Sequence, residues 1–151
     1  MTKDELIRGI TRYFHEQIPF NTLLGIQVVE ANATRVELQL VMKPELVGNT
    51  HHGILHGGVT ASLLDVAGGL AALINTIDKL ADVDPQGLQK RMQNIGTIDM
   101  RVDYLLPGFG ERFFCFAEVV RHGHRVAVTR MELLNEKDKR IALGTATYMV
   151  G

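Results

Sequence analysis

From Gly53 to Ile77 the chain runs 25 residues with a single formal charge, Asp65. A stretch this apolar must be buried, either in a bilayer or under other protein. Five glycines, together with His56, Asp65 and Asn75, argue against a membrane span. Strand-like segments on both sides would cover the stretch in a soluble fold, so a buried core helix over residues 57 to 78 is expected. The remaining sequence must supply the cover.

Residues 2 to 18 place Leu6, Ile10, Tyr13, Phe14 and Ile18 at helical spacing, with Thr2 and Glu5 as a capping box and Pro19 closing the segment. The period then changes. From Leu24 to about Met42 the alternation of Val36, Leu38, Leu40 and Met42 with Arg35, Glu37, Gln39 and Val41 reads as a hairpin turning at Asn32. Pro44 to His52 reads as a loop, and Asp82 to Gln93, with Pro85 and Gly87, as a mobile connection. Four strands follow, at about 95–106, 112–121, 125–134 and 140–150, turning at His122–His124 and Asn135–Asp138. The first puts Ile98, Met100, Val102, Tyr104 and Leu106 on one face, and Thr97, Asp99, Arg101 and Asp103 on the other. Two strands, one apolar helix and a four-stranded meander predict an α+β class, with an antiparallel sheet wrapped round a long central helix.

At 151 residues the chain is the size of one domain, with residues 1–19 as its N-terminal helical part. Sixteen Lys and Arg against 17 Asp and Glu leave a net charge of −1, and no overall field to draw nucleic acid or an anionic membrane. The lone Cys115 cannot form an internal disulfide, and MTKDELIRGI lacks the apolar run of a secretory signal. Both point to the cytoplasm. Cys115 stands among Phe113, Phe114 and Phe116 and reads as core. His51, His52 and His56 cluster without a nearby Cys or a second acidic ligand, so no metal is expected.

The chemistry concentrates where loop meets helix. Gly57 and Gly58 let another group approach the backbone, and the free N–H groups of a helix start suit an oxyanion. Tight packing of the helix entry would explain the same pair. Asp65 has Ala61, Ser62, Gly68 and Gly69 as its helical neighbours, so the helix offers it no cation. Catalysis would explain such a carboxylate; so would a structural partner such as Arg101. Asp65 lies eight residues beyond Gly57, about 12 Å along a helix. One carbonyl cannot touch both, so a shared site requires two subunits about a dyad.

The string His56-Gly57-Gly58 with Asp65 nine residues after the histidine, followed by Thr97-Ile98-Asp99-Met100 and Tyr104-Leu105-Leu106-Pro107-Gly108, resembles the hotdog-fold acyl-CoA thioesterases of the PaaI type, and among them the YigI-like branch. The resemblance covers roughly residues 20 to 150. It implies a hydrolase that cleaves acyl-CoA to a carboxylic acid and coenzyme A, with water as cosubstrate, no bound cofactor, and a homodimer paired into a dimer of dimers. The apolar helix at residues 2 to 18, placed to cover an acyl tunnel, leans the expected substrate towards medium- or long-chain acyl groups over aryl ones. Gly57 would polarise the thioester carbonyl. Asp65 of the opposing subunit would act as general base or nucleophile, and Thr97 would orient the water or the carboxylate. His56 would shape the turn at Gly57 or bond to the carbonyl side, with Gly58 beside it as a substrate-binding position. Relatives place an asparagine six residues before the histidine; that position is Thr50 here, so Asn49 fills the role only in a shifted loop.

Two other outcomes use the same fold. An enoyl-CoA hydratase needs an Asp and His pair at one substrate carbon, and a non-catalytic acyl-CoA sensor would tolerate Asp65→Asn. Arg91, Arg112, Arg121 and Lys139 all qualify as partners for the CoA phosphates.

Overall fold

A computed structural model describes all 151 residues. Helix α1 (Lys3–Glu16) carries the expected capping box and buries Leu6 and Ile10. Pro19 does more than close it: the proline opens a short second helix, α2 (Pro19–Leu24), which ends at Gly25 in the left-handed conformation (φ 83°). Strands β1 (Gln27–Ala31) and β2 (Val36–Val41) form the expected hairpin. Its turn is held by the Asn32 side chain, which accepts from the N–H groups of Thr34 and Arg35, each at 3.0 Å.

The segment read as a loop at 44–52 is partly ordered. After a 3-10 turn at Pro44–Leu46, β3 (Val47–Asn49) pairs with β4 (Ile54–Leu55) in a small hairpin that delivers the chain to α3 (Gly57–Asp78). A second correction concerns 82–93. These residues fold as α4 (Pro85–Asn94), with Asp84 as N-cap accepting from Gln86 and Gly87 and with Leu88 buried. Pro85 and Gly87, read as loop signals, here serve a helix start.

Strands β5 (Gly96–Tyr104), β6 (Arg112–His122), β7 (Val126–Asn135) and β8 (Arg140–Met149) complete an antiparallel sheet of order β1-β2-β6-β7-β8-β5. The sheet curls over α3, giving the expected α+β hotdog arrangement. By length and composition α3 could cross a membrane. Its apolarity is accounted for by burial: Leu63, Leu64, Leu70, Ile74 and Ile77 are sealed in a core shared with Val36, Leu38, Leu40, Phe113 and Leu133. Cys115 lies in that core, and burial pushes its thiol up from the ordinary value.

Two β-bulges reset which residues face α3. In β5 the register shifts between Thr97 and Asp99, leaving Ile98 as the extra, exposed residue. In β6 it shifts between Val119 and Arg121, leaving Val120 exposed in the same way. A bulge inverts the alternation beyond it. Thr97 therefore faces the helix with Met100 and Val102, where strict alternation puts it on the opposite side, and Ile98 leaves the face assigned to it. Across the sheet, the pairings His122 with Ala127, Ala127 with Tyr148 and Tyr148 with Thr97 form one row on the helix side.

Candidate active site

Two constellations occupy α3, one at its start and one two turns along. At the start, His56 is the N-cap, and its Nδ1 accepts from the Gly58 N–H at 2.8 Å. A nitrogen that accepts cannot carry the proton, so the neutral ring holds its hydrogen on Nε2. The backbone of His56 is pinned as well, its N–H donating to the Leu46 carbonyl at 2.8 Å. Gly48 allows this approach, since a Cβ there would fall 2.6 Å from the His56 Cα. Gly58 is needed for the cap itself: a Cβ would stand 2.9 Å from His56 Nδ1.

Because Gly58 gives its N–H to His56, the donor left at the helix start is Gly57. No intrahelical acceptor exists for a first-turn N–H, and no side chain in the chain takes it. The Gly57 carbonyl is fixed from the other side by the Tyr104 hydroxyl, which donates to it at 2.7 Å. Asn49 does not reach this point by a side-chain hydrogen bond. Its Oδ1 accepts from the His51 N–H at 3.0 Å, folding the carboxamide onto its own turn between β3 and β4. His52 packs edge-on against Phe109. No three His, Cys, Asp or Glu side chains converge as a metal would require.

The second constellation centres on Asp65. Thr97 Oγ1 donates to its Oδ1 at 2.7 Å, and the Tyr148 hydroxyl lies 3.1 Å from the same oxygen and 2.9 Å from the Asp65 carbonyl. Oδ2 takes no hydrogen bond from the chain. Arg101 makes its ion pair with Asp103 at 3.1 Å, which removes it as a structural partner for Asp65. The carboxylate is thus oriented by two neutral hydroxyls and neutralised by no cation. Burial, and then the Asp65 charge, push the Tyr148 phenol up from its ordinary value. Gly68 makes room for it: a Cβ there would lie 2.5 Å from the Tyr148 oxygen and 2.8 Å from Thr129 Oγ1. Gly68 therefore packs on the sheet, as do the buried Ala71 and Ala72.

Chemically, one end of the arrangement offers a free backbone N–H at a positive helix terminus, and the other a carboxylate with one oxygen held and one open. These are the parts needed to stabilise an oxyanion and to activate or deliver a nucleophile. Within the chain, the side-chain hydrogen bonds to Asp65 come from Thr97 and Tyr148 and none from a histidine. The Tyr148 hydroxyl was not visible in the sequence as a partner of Asp65, because in the alternating β8 a core tyrosine carries no local mark of its own.

The model of the thioesterase superfamily matches residues 52–142. The chain belongs to the thioesterase superfamily. Within this thioesterase chain the matched span holds His56, Gly57, Gly58, Asp65, Thr97 and Tyr104, while Asn49 and Tyr148 lie outside it. The chain is 42% identical over 151 residues to the medium/long-chain acyl-CoA thioesterase YigI of Escherichia coli K12, covering 100% of this chain and 97% of that one. The protein of the same name in Salmonella typhimurium is 41% identical with the same coverage. A crystal structure of a Shewanella oneidensis protein related to the thioesterase superfamily superposes with a TM-score of 0.95 at 48% identity, over 99% of this chain and 97% of that one.

Proposed function

We propose that this thioesterase hydrolyses medium- and long-chain acyl-CoA to the fatty acid and free coenzyme A, with Gly57 of one subunit and Asp65 of the other at each site. The observation that carries the reading is the Asp65 carboxylate, held on Oδ1 by Thr97 and Tyr148 and open on Oδ2. The name of the 42%-identical relatives supports the substrate class.

The reaction follows from the two constellations. The Gly57 N–H donates to the thioester oxygen as it gains negative charge, at the end of α3 where the helix dipole favours an anion. Asp65 Oδ2 takes a proton from water as it adds to the carbonyl carbon, or adds itself to give an anhydride that water then opens. Thr97 and Tyr148 hold Oδ1 in either route. Collapse of the tetrahedral intermediate expels the CoA thiolate.

Because about 12 Å of helix separates Gly57 from Asp65, the pair acts on one carbonyl only across a dimer. Strand β5 is an edge of the sheet, and Ile98, Tyr104, Leu105, Leu106 and Phe109 beside it are exposed apolar residues, a surface suited to a second copy. Further pairing into a dimer of dimers, work without a bound cofactor, and a cytoplasmic location belong to the same proposal. Free thiol release from acetyl- to palmitoyl-CoA, with phenylacetyl- and benzoyl-CoA beside them, tests it. Turnover that rises with aliphatic chain length and is lost in Asp65→Asn supports the reading; turnover retained in Asp65→Asn overturns the assignment of Asp65.

A further inference from the structure

At the far end of α3 from His56 lies a recess of about 320 Å³ that the chemistry above does not use. Its walls carry Lys79 from the α3 terminus, Arg91 from α4, His122 from the end of β6 and His124 from the turn that follows, and they include no carboxylate. Neither Lys79 nor Arg91 makes an ion pair anywhere in the chain; Asp78 and Asp82 are near in sequence but do not bridge to them. Arg91 is aimed by a hydrogen bond from its guanidinium to the Val150 carbonyl at 3.3 Å. The helix terminus is partly satisfied by Lys3, whose Nζ donates to the Asp78 carbonyl at 2.6 Å.

His122 is directed here by the bulge at Val120, which turns it toward α3. The Thr76 hydroxyl donates to the Ala72 carbonyl at 2.8 Å, so at 2.7 Å from His122 it must accept from Nε2. The second ring nitrogen, Nδ1, has no side-chain partner. Burial, followed by the charges of Lys79 and Arg91, holds the imidazole below its ordinary value, the sign expected where cations crowd without an anion.

The recess and the active site are parts of one construction. His122, Ala127, Tyr148 and Thr97 form a single cross-strand row, three inter-strand steps or about 14 Å from end to end. Along α3, Thr76 stands about 16 Å beyond Asp65. The row itself is sealed core at Ala127 and Tyr148, so it measures the separation without forming a channel, and that separation is of the order of a pantetheine arm's length.

We propose that this recess binds phosphate, and that the phosphate it takes is that of the nucleotide end of the CoA substrate. The assignment rests on the thioesterase reading above. Of the four cations that the sequence offered as phosphate partners, Arg91 is the one that lines it.

The test compares lauroyl-CoA with lauroyl-N-acetylcysteamine, a thioester that lacks phosphate. In Arg91→Gln and in Lys79→Gln, the ratio of kcat/KM for the first substrate to that for the second falls about tenfold, through KM, as loss of a charge-assisted contact requires. Adenosine 3′,5′-bisphosphate raises the pKa of His122, followed by NMR, in the wild type and much less in Arg91→Gln. An unchanged substrate ratio, or an unmoved His122, overturns the proposal. Inorganic phosphate tests the other source: if it moves His122 as tightly as the bisphosphate while the ratio stays at the wild-type value, the recess serves a free anion and the assignment to substrate fails. The Lys79 side chain makes no hydrogen bond in the chain, its backbone N–H alone capping α3, so Lys79→Gln decides the matter even where Arg91→Gln disturbs α4. A wild type inactive on both thioesters tells against the hydrolase reading, and the NMR titration then judges the recess by itself.

Discussion

The two hydroxyls on Asp65 differ in how firmly they are held. Thr97 comes from an edge strand and is exposed; Tyr148 is 2% exposed and cannot move without opening the core. Asp65→Asn removes the proposed base or nucleophile and is expected to lower kcat by about 100- to 10,000-fold, with the thermal midpoint little changed; steady-state kinetics beside a melting curve reads both. Tyr148→Phe keeps the ring and removes one shared hydrogen bond, so a stability loss of about 1 kcal/mol is expected in chemical denaturation. The same phenol predicts a pH effect. Its folded pKa is raised above the unfolded value of about 10, so above that pH the folded state holds a proton the unfolded state has lost, and stability falls as pH rises. The decline should be shallower in Tyr148→Phe; an identical decline would show that the phenol is not responsible. Asp65 was legible in the sequence because a carboxylate in an apolar helix with no cation in reach is anomalous by itself. Its partners were not: the choice between Arg101 and the hydroxyls is made by strand faces, which local sequence does not fix once a bulge intervenes.

At the scale of elements, α3 was legible from its apolar run and the meander from its alternation, whereas α4 was hidden by its own start signals. Pro85 is suited to a first helical position, and Gly87 leaves room for the Asp84 carboxylate, since a Cβ there would lie 2.8 Å from Oδ2. Out of context the same residues spell a turn. Removing the cap by Asp84→Ala should cost about 1 kcal/mol, seen as faster amide exchange in α4, with the exchange of β6 and β7 amides unaltered. Gly68 tests the helix against the sheet. Gly68→Ala ordinarily favours a helix, but here the methyl would meet the Tyr148 oxygen and Thr129 Oγ1. The expectation is a loss of about 1–3 kcal/mol from overpacking, together with a drop in kcat as the phenol is pushed off Asp65. A stabilised, fully active Gly68→Ala would mean that α3 sits farther from β8 than described.

For the whole molecule, the spacing of Gly57 and Asp65 makes a prediction that no single-chain measurement can reach. Gly57→Pro deletes the proposed oxyanion donor with little other change. Proline is suited to the first position of a helix, His56 before it already has the extended backbone that proline demands (φ −60°, ψ 133°), and a Cβ at 57 would make an ordinary 3.4 Å contact with the Tyr104 ring. Alone, Gly57→Pro and Asp65→Asn should each be close to inactive. Mixed by denaturation and refolding, they give heterodimers in which one site combines both lesions and the other combines neither. With half the dimers mixed and one good site in each, activity should recover to roughly a quarter of the wild-type value. Recovery must follow the heterodimer fraction measured by native mass spectrometry. If Gly57 and Asp65 acted within one chain, every site would keep a lesion and the mixture would stay as inactive as its parts. The same mixture, assayed under conditions where the chain sediments as a monomer, should lose the recovered activity, because the pairing proposed at the β5 edge would also join the two halves of each proposed site.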